Sequence, residues 1–600
     1  MPYHPTENAA IGSVMTNARN WGNLADDNVT NTGVLNTETT AQTRQVIDNK
    51  VNRLWNEISS LCTQRNHLLA LYKLPPELLA LIFAELIALQ SSTLHCLRRD
   101  TISPGWMAVT HVCRRWREVA LQQPTLWTTI SADLGQKWME EMLARSGSLP
   151  LTVWAHIEDD CDVFSLIAQM SRTVHLHVAL EGAVEAGSPN TLIMQPAPLL
   201  ETCSISLLDE EDDEYFDPPH NLFARNAPRL RSLELEVCSV YWSSLAFASL
   251  VKLSITVPAD NPWSPLSPRA YREELLQALS KMPKLENLAL DNCLPDSKNM
   301  EEDGPGMPHN PKTVIEPPLL KILSLTGKPY DITAFLPSLR LLPTCKLSMT
   351  CEVEWHNGDD EMDVFGLTLP DLLNFLDMPI LRLGIRGSAS CDDYEVSLWT
   401  RTHPWADKPL FPAAADSFDP TDEDALPNIR IVAALDRPAV VTPMMDIEEI
   451  PDALRFACYS LPLAHVQVLD VADEALRWEW HTWTRLAEHM DGLQHIRTNQ
   501  RLDRCLVESL ANRREGDKLM APCLRTVMIV DSPECRELKE KRMFLKAFTG
   551  AVKQRKGLAP ALEGLYLRGY APTFRQKMKY LVYMLGIERL VPVLLGGESP

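Results

Sequence analysis

Residues Pro228–Cys238 read PRLRSLELEVC. Leu230, Leu233 and Leu235 are spaced so that the last two point to the same side of an extended chain, because side chains alternate along a strand. The phrase is Pro, any, Leu, two any, apolar, any, apolar. It returns as PLLETCSI at Pro198, PKLENLAL at Pro283, PLLKILSL at Pro318, PCLRTVMI at Pro522 and PALEGLYL at Pro560. Weaker copies are ASLVKLSI at Ala248, PSLRLLPT at Pro337 and DGLQHIRT at Asp491. A short strand with one apolar side cannot bury that side alone, but a stack of such strands can.

Two copies continue to a cysteine. Leu230 to Cys238 and Leu285 to Cys293 both fit L-x-x-L-x-L-x-x-C, which resembles the leucine-rich-repeat strand with its turn cysteine. The resemblance implies an irregular solenoid over residues 191–600, with residues 131–190 as a connecting region. The phrase fades between Pro343 and Ala521. One to three damaged repeats are expected there, with MPILRLGI (Met378–Ile385) and LPLAHVQVLDV (Leu461–Val471) as strands in a shifted register. The acidic run LDEEDDEYFDPP (Leu208–Pro219) and the Pro- and Asp-rich stretches Pro295–Lys312 and His403–Pro427 read as loops outside the stack.

The N-terminal quarter has a different grain. In LPPELLALIFAELIAL (Leu74–Leu89), Pro75 and Pro76 open a helix where a missing N–H costs little. Glu77 complements the helix dipole. Leu78, Leu79, Ile82, Phe83 and Leu86 form one broad apolar face. Around VCRRWREVALQQPTLW (Val112–Trp127), Val109, Val112, Cys113, Trp116, Val119 and Ala120 line one face of a second helix expected over Trp106–Leu121. Its arginines lie largely on the other faces.

Together these blocks resemble the F-box domain in its fungal F-box-like form, over residues 74–130. The matching positions are Leu74, Pro75, Glu77, Ile82, Phe83, Val112, Cys113, Trp116, Arg117, Pro124, Leu126 and Trp127; the long segment Gln90–Gly105 departs from the pattern. The resemblance implies a three-helix module that docks on the Skp-type adaptor of a cullin–RING ubiquitin ligase. It implies adaptor contacts at Leu74, Pro75, Leu78, Leu79, Ile82 and Phe83, and a module core of Val112, Cys113, Trp116, Leu126 and Trp127.

Residues 1–43 are rich in Asn and Thr and read as a disordered tail. Over 44–73, Ile47, Val51, Leu54, Ile58, Leu61 and Leu68 follow a heptad seam, with Arg65 at one seam position. The seam could dimerise as a short coiled coil. At barely three heptads it reads better as one helix packing on its own neighbour.

The chain has 79 acidic against 57 basic residues and a net charge of −22, which argues against nucleic acid and anionic membranes as partners. The 14 cysteines are scattered, with no C-x-x-C pair, and the N-terminus lacks a secretory pattern. These features point to a cytoplasmic or nuclear setting with reduced thiols. No phosphate-binding glycine loop, nucleophile elbow or H-E-x-x-H occurs. His175 and His177 share one strand face, but with no carboxylate or thiol nearby they read as ordinary strand histidines, and Cys345, Cys351 and His356 match no standard metal spacing well. RWEWHTW (Arg477–Trp483) reads as a helix packing its tryptophans. No cofactor, metal or catalytic residue is assigned. The expected fold is α/β, an all-α F-box module followed by a leucine-rich-repeat-like solenoid. The expected role is a non-catalytic substrate receptor of an SCF ubiquitin ligase for an unknown protein substrate. The alternative is a repeat scaffold whose F-box-like module recruits no ligase.

Overall fold

The computed structural model describes residues 37–94, 105–131, 135–157, 164–180, 187–207, 219–236, 241–257, 268–295, 313–342, 344–354, 379–387, 394–400, 429–436, 461–473, 483, 486–487, 489–499, 503–511, 519–530, 538–556, 558–568 and 572–595. The chain divides into two compact units, Met1–Leu126 and Trp127–Pro600.

The first unit is helical. Helix α1 spans Thr37–His67, beginning seven residues before the expected 44. Its seam residues Ile47, Val51, Leu54, Ile58, Leu61 and Leu68 are 43–83% exposed, so the expected packing on a neighbour of the same chain is not what the structure shows. A 3-10 turn over Ala70–Lys73 leads to α2, Pro76–Leu94. The Pro75 carbonyl accepts the N–H groups of Leu78 and Leu79, and Glu77 sits in the first turn. The helix expected from Trp106 is instead a 3-10 segment, Gly105–His111, followed by α3, Arg114–Gln122. Cys113 separates them in extended backbone, φ −158° and ψ 167°.

Among the described residues of the second unit, 17 strands form one sheet, with helices such as Pro268–Ser280 and Leu538–Arg555 between them. Its strands are β1 (Thr129–Ser131), β2 (Leu151–Ile157), β3 (Thr173–Leu180), β4 (Thr202–Leu207), β5 (Ser232–Glu236), β6 (Lys252–Thr256), β7 (Asn287–Asp291), β8 (Ile322–Gly327), β9 (Lys346–Glu354), β10 (Ile380–Gly387), β11 (Tyr394–Thr400), β12 (Ile429–Asp436), β13 (Val468–Asp473), β14 (His495–Asn499), β15 (Thr526–Val530), β16 (Gly564–Arg568) and β17 (Val593–Leu595). Each of β1 to β9 pairs parallel with the next, as do β13 to β17. This is one strand per repeat, the arrangement of an α/β solenoid.

The recurring phrase encodes both a turn and a strand. The carbonyls of Ala197, Ala227, Phe247, Met282, Met490 and Ala521 each accept the N–H of the phrase leucine three residues on: Leu200, Leu230, Leu250, Leu285, Leu493 and Leu524. Where the phrase has proline, the residue between is ready-made for the turn's second position. The residue after each leucine then donates its N–H to its counterpart one repeat back: Arg231 to Glu201, Val251 to Arg231, Glu286 to Val251, Lys321 to Glu286. The next apolar positions form a continuous buried row. Ile130, Val153, Leu176, Cys203, Leu233, Leu253, Leu288, Leu323 and Leu347 are register neighbours across β1–β9, and all are buried. Burying each leucine contributes about 1.5–3 kcal/mol, so the row holds the stack together.

Three expectations change. Residues 131–190 are not a bare connection, because β2 and β3 lie there and continue the same buried row. PSLRLLPT at Pro337 is not a strand: Leu336–Ser338 forms a 3-10 turn, and the strand comes at Lys346. Between β9 and β13 the order reverses. β12 pairs parallel with β9, β11 antiparallel with β12 and with β10, and β10 parallel with β13. The stack contains a meander laid in backwards, with the buried row unbroken through Ile429, Leu398, Leu383 and Leu469.

Candidate interaction surfaces

In the first unit, α2 divides the residues expected to meet the adaptor. Leu79 and Phe83 are fully buried. The Phe83 ring packs on Trp116 of α3, centroids 5.3 Å apart. Leu78 and Ile82, one position earlier in each case, are 46% and 42% exposed. Leu81 is also exposed, Pro75 is exposed and Leu74 half-buried. A helix apolar on both sides thus forms a core with one side and leaves Leu78, Leu81 and Ile82 exposed on the other.

Of the expected core set, Leu126 and Trp127 are buried, while Trp116 and Cys113 are half-buried. Val112 is 59% exposed. The reason is the break at Cys113: Val112 precedes the first turn of α3 and does not share its face. Val109 and Ala120 of the expected face are buried, and Trp106 and Met107 of the 3-10 segment are buried with them.

The arginines differ from the expected solvated set. Arg114 is exposed and pairs with Glu118. Arg117 donates to the Thr110 carbonyl at 2.7 Å. Arg115 donates to the backbone carbonyls of Tyr72 and Leu74, and its guanidinium lies 4.8 Å from the Tyr72 ring centroid. It therefore ties the turn that opens α2 to α3. The same device recurs in the second unit. Arg555 donates to the carbonyls of Met520 and Ala521, both at 2.7 Å, where Ala521 has a positive φ of 44°. Arg272 holds the Ala334 carbonyl and Arg172 the Leu149 carbonyl. Burial pushes the Arg172, Arg272 and Arg555 guanidiniums below their ordinary pKa.

In the second unit, the strand register defines the face opposite the buried row. Its middle column runs Trp154, His177, Ser204, Glu234, Ser254, Ala289, Ser324 and Ser348 across β2–β9. It continues through Arg430, Ser397, Gly384, Asp470 and Arg497. From β4 to β9 the column is serine except for Glu234 and Ala289, and Trp154 stacks on His177 at 3.9 Å at its other end. His175 bonds the Thr202 hydroxyl at 2.8 Å.

At the meander the face becomes basic and aromatic. Arg382 lies 4.4 Å over Trp399 and donates to Asp470 at 3.1 Å; Arg497 reaches the same oxygen at 3.5 Å. Gly384 leaves room for the indole, since a Cβ there would meet the Trp399 ring at 3.1 Å. Burial lowers the Arg382 pKa despite the Asp470 charge. Glu395 accepts from Ser397 at 2.7 Å and Arg430 at 3.1 Å. Its burial favours the neutral acid, but these bonds and the charges of Arg430 and Arg386 outweigh it and lower its pKa.

Among the described residues, no group of three His, Cys, Asp or Glu side chains could hold a metal ion, and no helix is long and apolar enough to cross a membrane. Cys345 and Cys351 are buried, and burial pushes both thiols up to about 12. They are small core side chains in their thiol form. Trp483 is fully buried, as expected; Trp480, His356 and the acidic run over 208–218 lie outside the described residues.

A family model described as F-box-like matches residues 71–133, so the chain carries an F-box-like domain there. Among solved structures, the chain is similar to the leucine-rich repeat-containing protein LegL7 from Legionella pneumophila. That match has 11% identity and a TM-score of 0.22, covering 62% of this chain and 98% of that one. The fold assignment rests on the strand pairing above, not on this likeness. No curated protein matches the chain.

Proposed function

We propose that this protein is a substrate-recognition subunit of an SCF (cullin–RING) ubiquitin ligase, acting in the cytoplasm or nucleus. The observation that carries the reading is the F-box-like domain at 71–133 with an apolar patch, Leu78 and Ile82, presented on α2. The patch suits a Skp-type adaptor, which joins the cullin. The outward sheet face suits the target protein, and the partly exposed Arg430 and Arg497 side chains on it suit an acidic segment of it. The protein contributes no nucleophile in this reading. It supplies proximity between the target and a ubiquitin-conjugating enzyme.

The test is co-purification of the full chain with the adaptor. Leu78→Asp with Ile82→Asp changes only exposed positions, so the variant folds and loses the adaptor. Phe83 is unsuitable, because charging a fully buried ring unfolds the unit. Retention of the adaptor by the double variant refutes the assigned face. Failure of the unmodified chain to bind any Skp-type adaptor refutes the ligase reading and leaves the scaffold.

A further inference from the structure

We infer that α1 is the interface of a homodimer, in which two copies of the helix pack as an antiparallel coiled coil. Thr37–His67 is 31 residues, about 46 Å of helix at 1.5 Å per residue. Ile47, Val51, Leu54, Ile58 and Leu61 follow alternating steps of four and three, and every one is exposed, as are Val46 and Trp55 beside the stripe. A heptad seam is the signature of a second helix alongside, since 3.5-residue spacing suits knobs-into-holes packing. A long helix with an uncovered seam is not stable by propensity alone.

The charges choose the partner and its direction. Take Val51 and Ile58 as a positions and Ile47, Leu54 and Leu61 as d positions. A parallel pair then stacks Arg44 on Arg44 and Arg65 on Arg65 in the seam. Like charges facing each other at seam positions oppose that arrangement. An antiparallel pair matches a with d. One register sets Val51 against Leu54 and Ile47 against Ile58, each twice by symmetry. The flanking g positions then bring Lys50 of each copy beside Glu57 of the other, also twice. Shifting by one heptad in either direction sets Lys50 against Lys50 or Glu57 against Glu57 instead. The favoured register also centres on Asn52 and Arg53, the middle of α1, so the two helices overlap over nearly their whole length. The outer layers of this register set Leu61 against Arg44 and Thr40 against Arg65, so no like charges face each other in the seam. A second copy of this chain thus covers Ile47, Val51, Leu54 and Ile58 and pairs the flanking charges over nearly the whole helix length.

The full chain is tested by size-exclusion chromatography with light scattering across a concentration series. The expected result is a concentration-dependent species of twice the monomer mass. Leu54→Asp with Ile58→Asp abolishes it, and unchanged hydrogen-exchange protection in α2 and in β2–β9 shows that these exposed substitutions leave the rest of the fold intact. Lys50→Glu weakens association by roughly tenfold, counting two reversed pairs, and Lys50→Glu with Glu57→Lys restores it. Restoration by the swap is specific to the antiparallel register, because in a parallel pair Lys50 and Glu57 do not meet. A monomer at every concentration, or a dimer insensitive to Leu54→Asp with Ile58→Asp, overturns the inference. A dimer lost in that variant but unmoved by the charge swap overturns the antiparallel register. None of these outcomes depends on adaptor binding.

Discussion

Replacing Arg115 by Met isolates what a single guanidinium does for the opening of α2. The side chain keeps its apolar stem but loses two charge-assisted hydrogen bonds, to the carbonyls of Tyr72 and Leu74, and its place over the Tyr72 ring. Each such bond is worth about 1.5 kcal/mol and the ring contact about 0.5 kcal/mol. The turn is partly exposed, so water recovers part of this after truncation. The expected net loss is about 2 kcal/mol, confined to the turn and the start of α2. Hydrogen exchange with mass spectrometry reads this as a roughly 30-fold drop in protection for the peptides covering residues 68–80, at 1.36 kcal/mol per tenfold. Protection in β3–β9 is unchanged. Arg115→Lys recovers less than half of the loss, because one ammonium cannot span both carbonyls. A change below twofold in residues 68–80, or an equal loss throughout the chain, would refute the clamp.

Phe83→Ala removes a fully buried ring packed on Trp116 and is expected to cost about 3–5 kcal/mol, measured as a fall in the urea midpoint of the helical unit. Adaptor binding is lost with it, through unfolding and not through a missing contact. Asp470→Asn leaves Arg382 and Arg497, 17% and 34% exposed as side chains, without their shared carboxylate. It is expected to cost about 3 kcal/mol, with a change in Trp399 fluorescence as Arg382 moves off the ring. Low pH tests His495, whose pKa is lowered by burial first and the Arg525 charge second, against the opposing Glu563. The unfolded chain takes up the proton more readily, so stability falls as pH drops through the ordinary histidine value of 6.5 and the loss is complete below the folded pKa. His495→Asn flattens the thermal-melt profile in that window; an unchanged profile would show that His495 is not responsible.

The repeating phrase was legible because each copy encodes three things at once: a turn, a buried leucine and two strand positions. Leu230, Leu233 and Leu235 show all of them. The early strand β2 escaped, and β3 was legible as a strand at His175 and His177 but not as a repeat, because their turns are made differently. Arg172 holds the Leu149 carbonyl there, and no Pro-x-Leu marks the place. The backward meander was illegible for another reason. Alternation reports which side a residue faces, not which way its strand runs, so β10, β11 and β12 look like ordinary repeats. The F-box-like helices were visible by period, but helical period alone does not say which of two apolar sides is used internally. Phe83 went inward and Ile82 outward because Trp116 lies on one side only. Arg115 gave no signal, since a backbone carbonyl 41 residues away leaves no mark on the sequence.

The meander also sets how the sheet assembles in time. Neighbouring rungs of β1–β9 bring together residues 20 to 35 positions apart, as with Leu233 and Leu253 or Leu253 and Leu288. Closing β9 on β12 joins Leu347 to Ile429, 82 apart (429−347), and β10 on β13 joins Arg382 to Val468, 86 apart (468−382). Nearest-neighbour arrays fold by spreading from wherever they start, and distant closures are slow. The first nine strands and the last five are therefore two separate zippers. The interlocked pair of long closures joins them last, and it is the step that makes one cooperative body out of two.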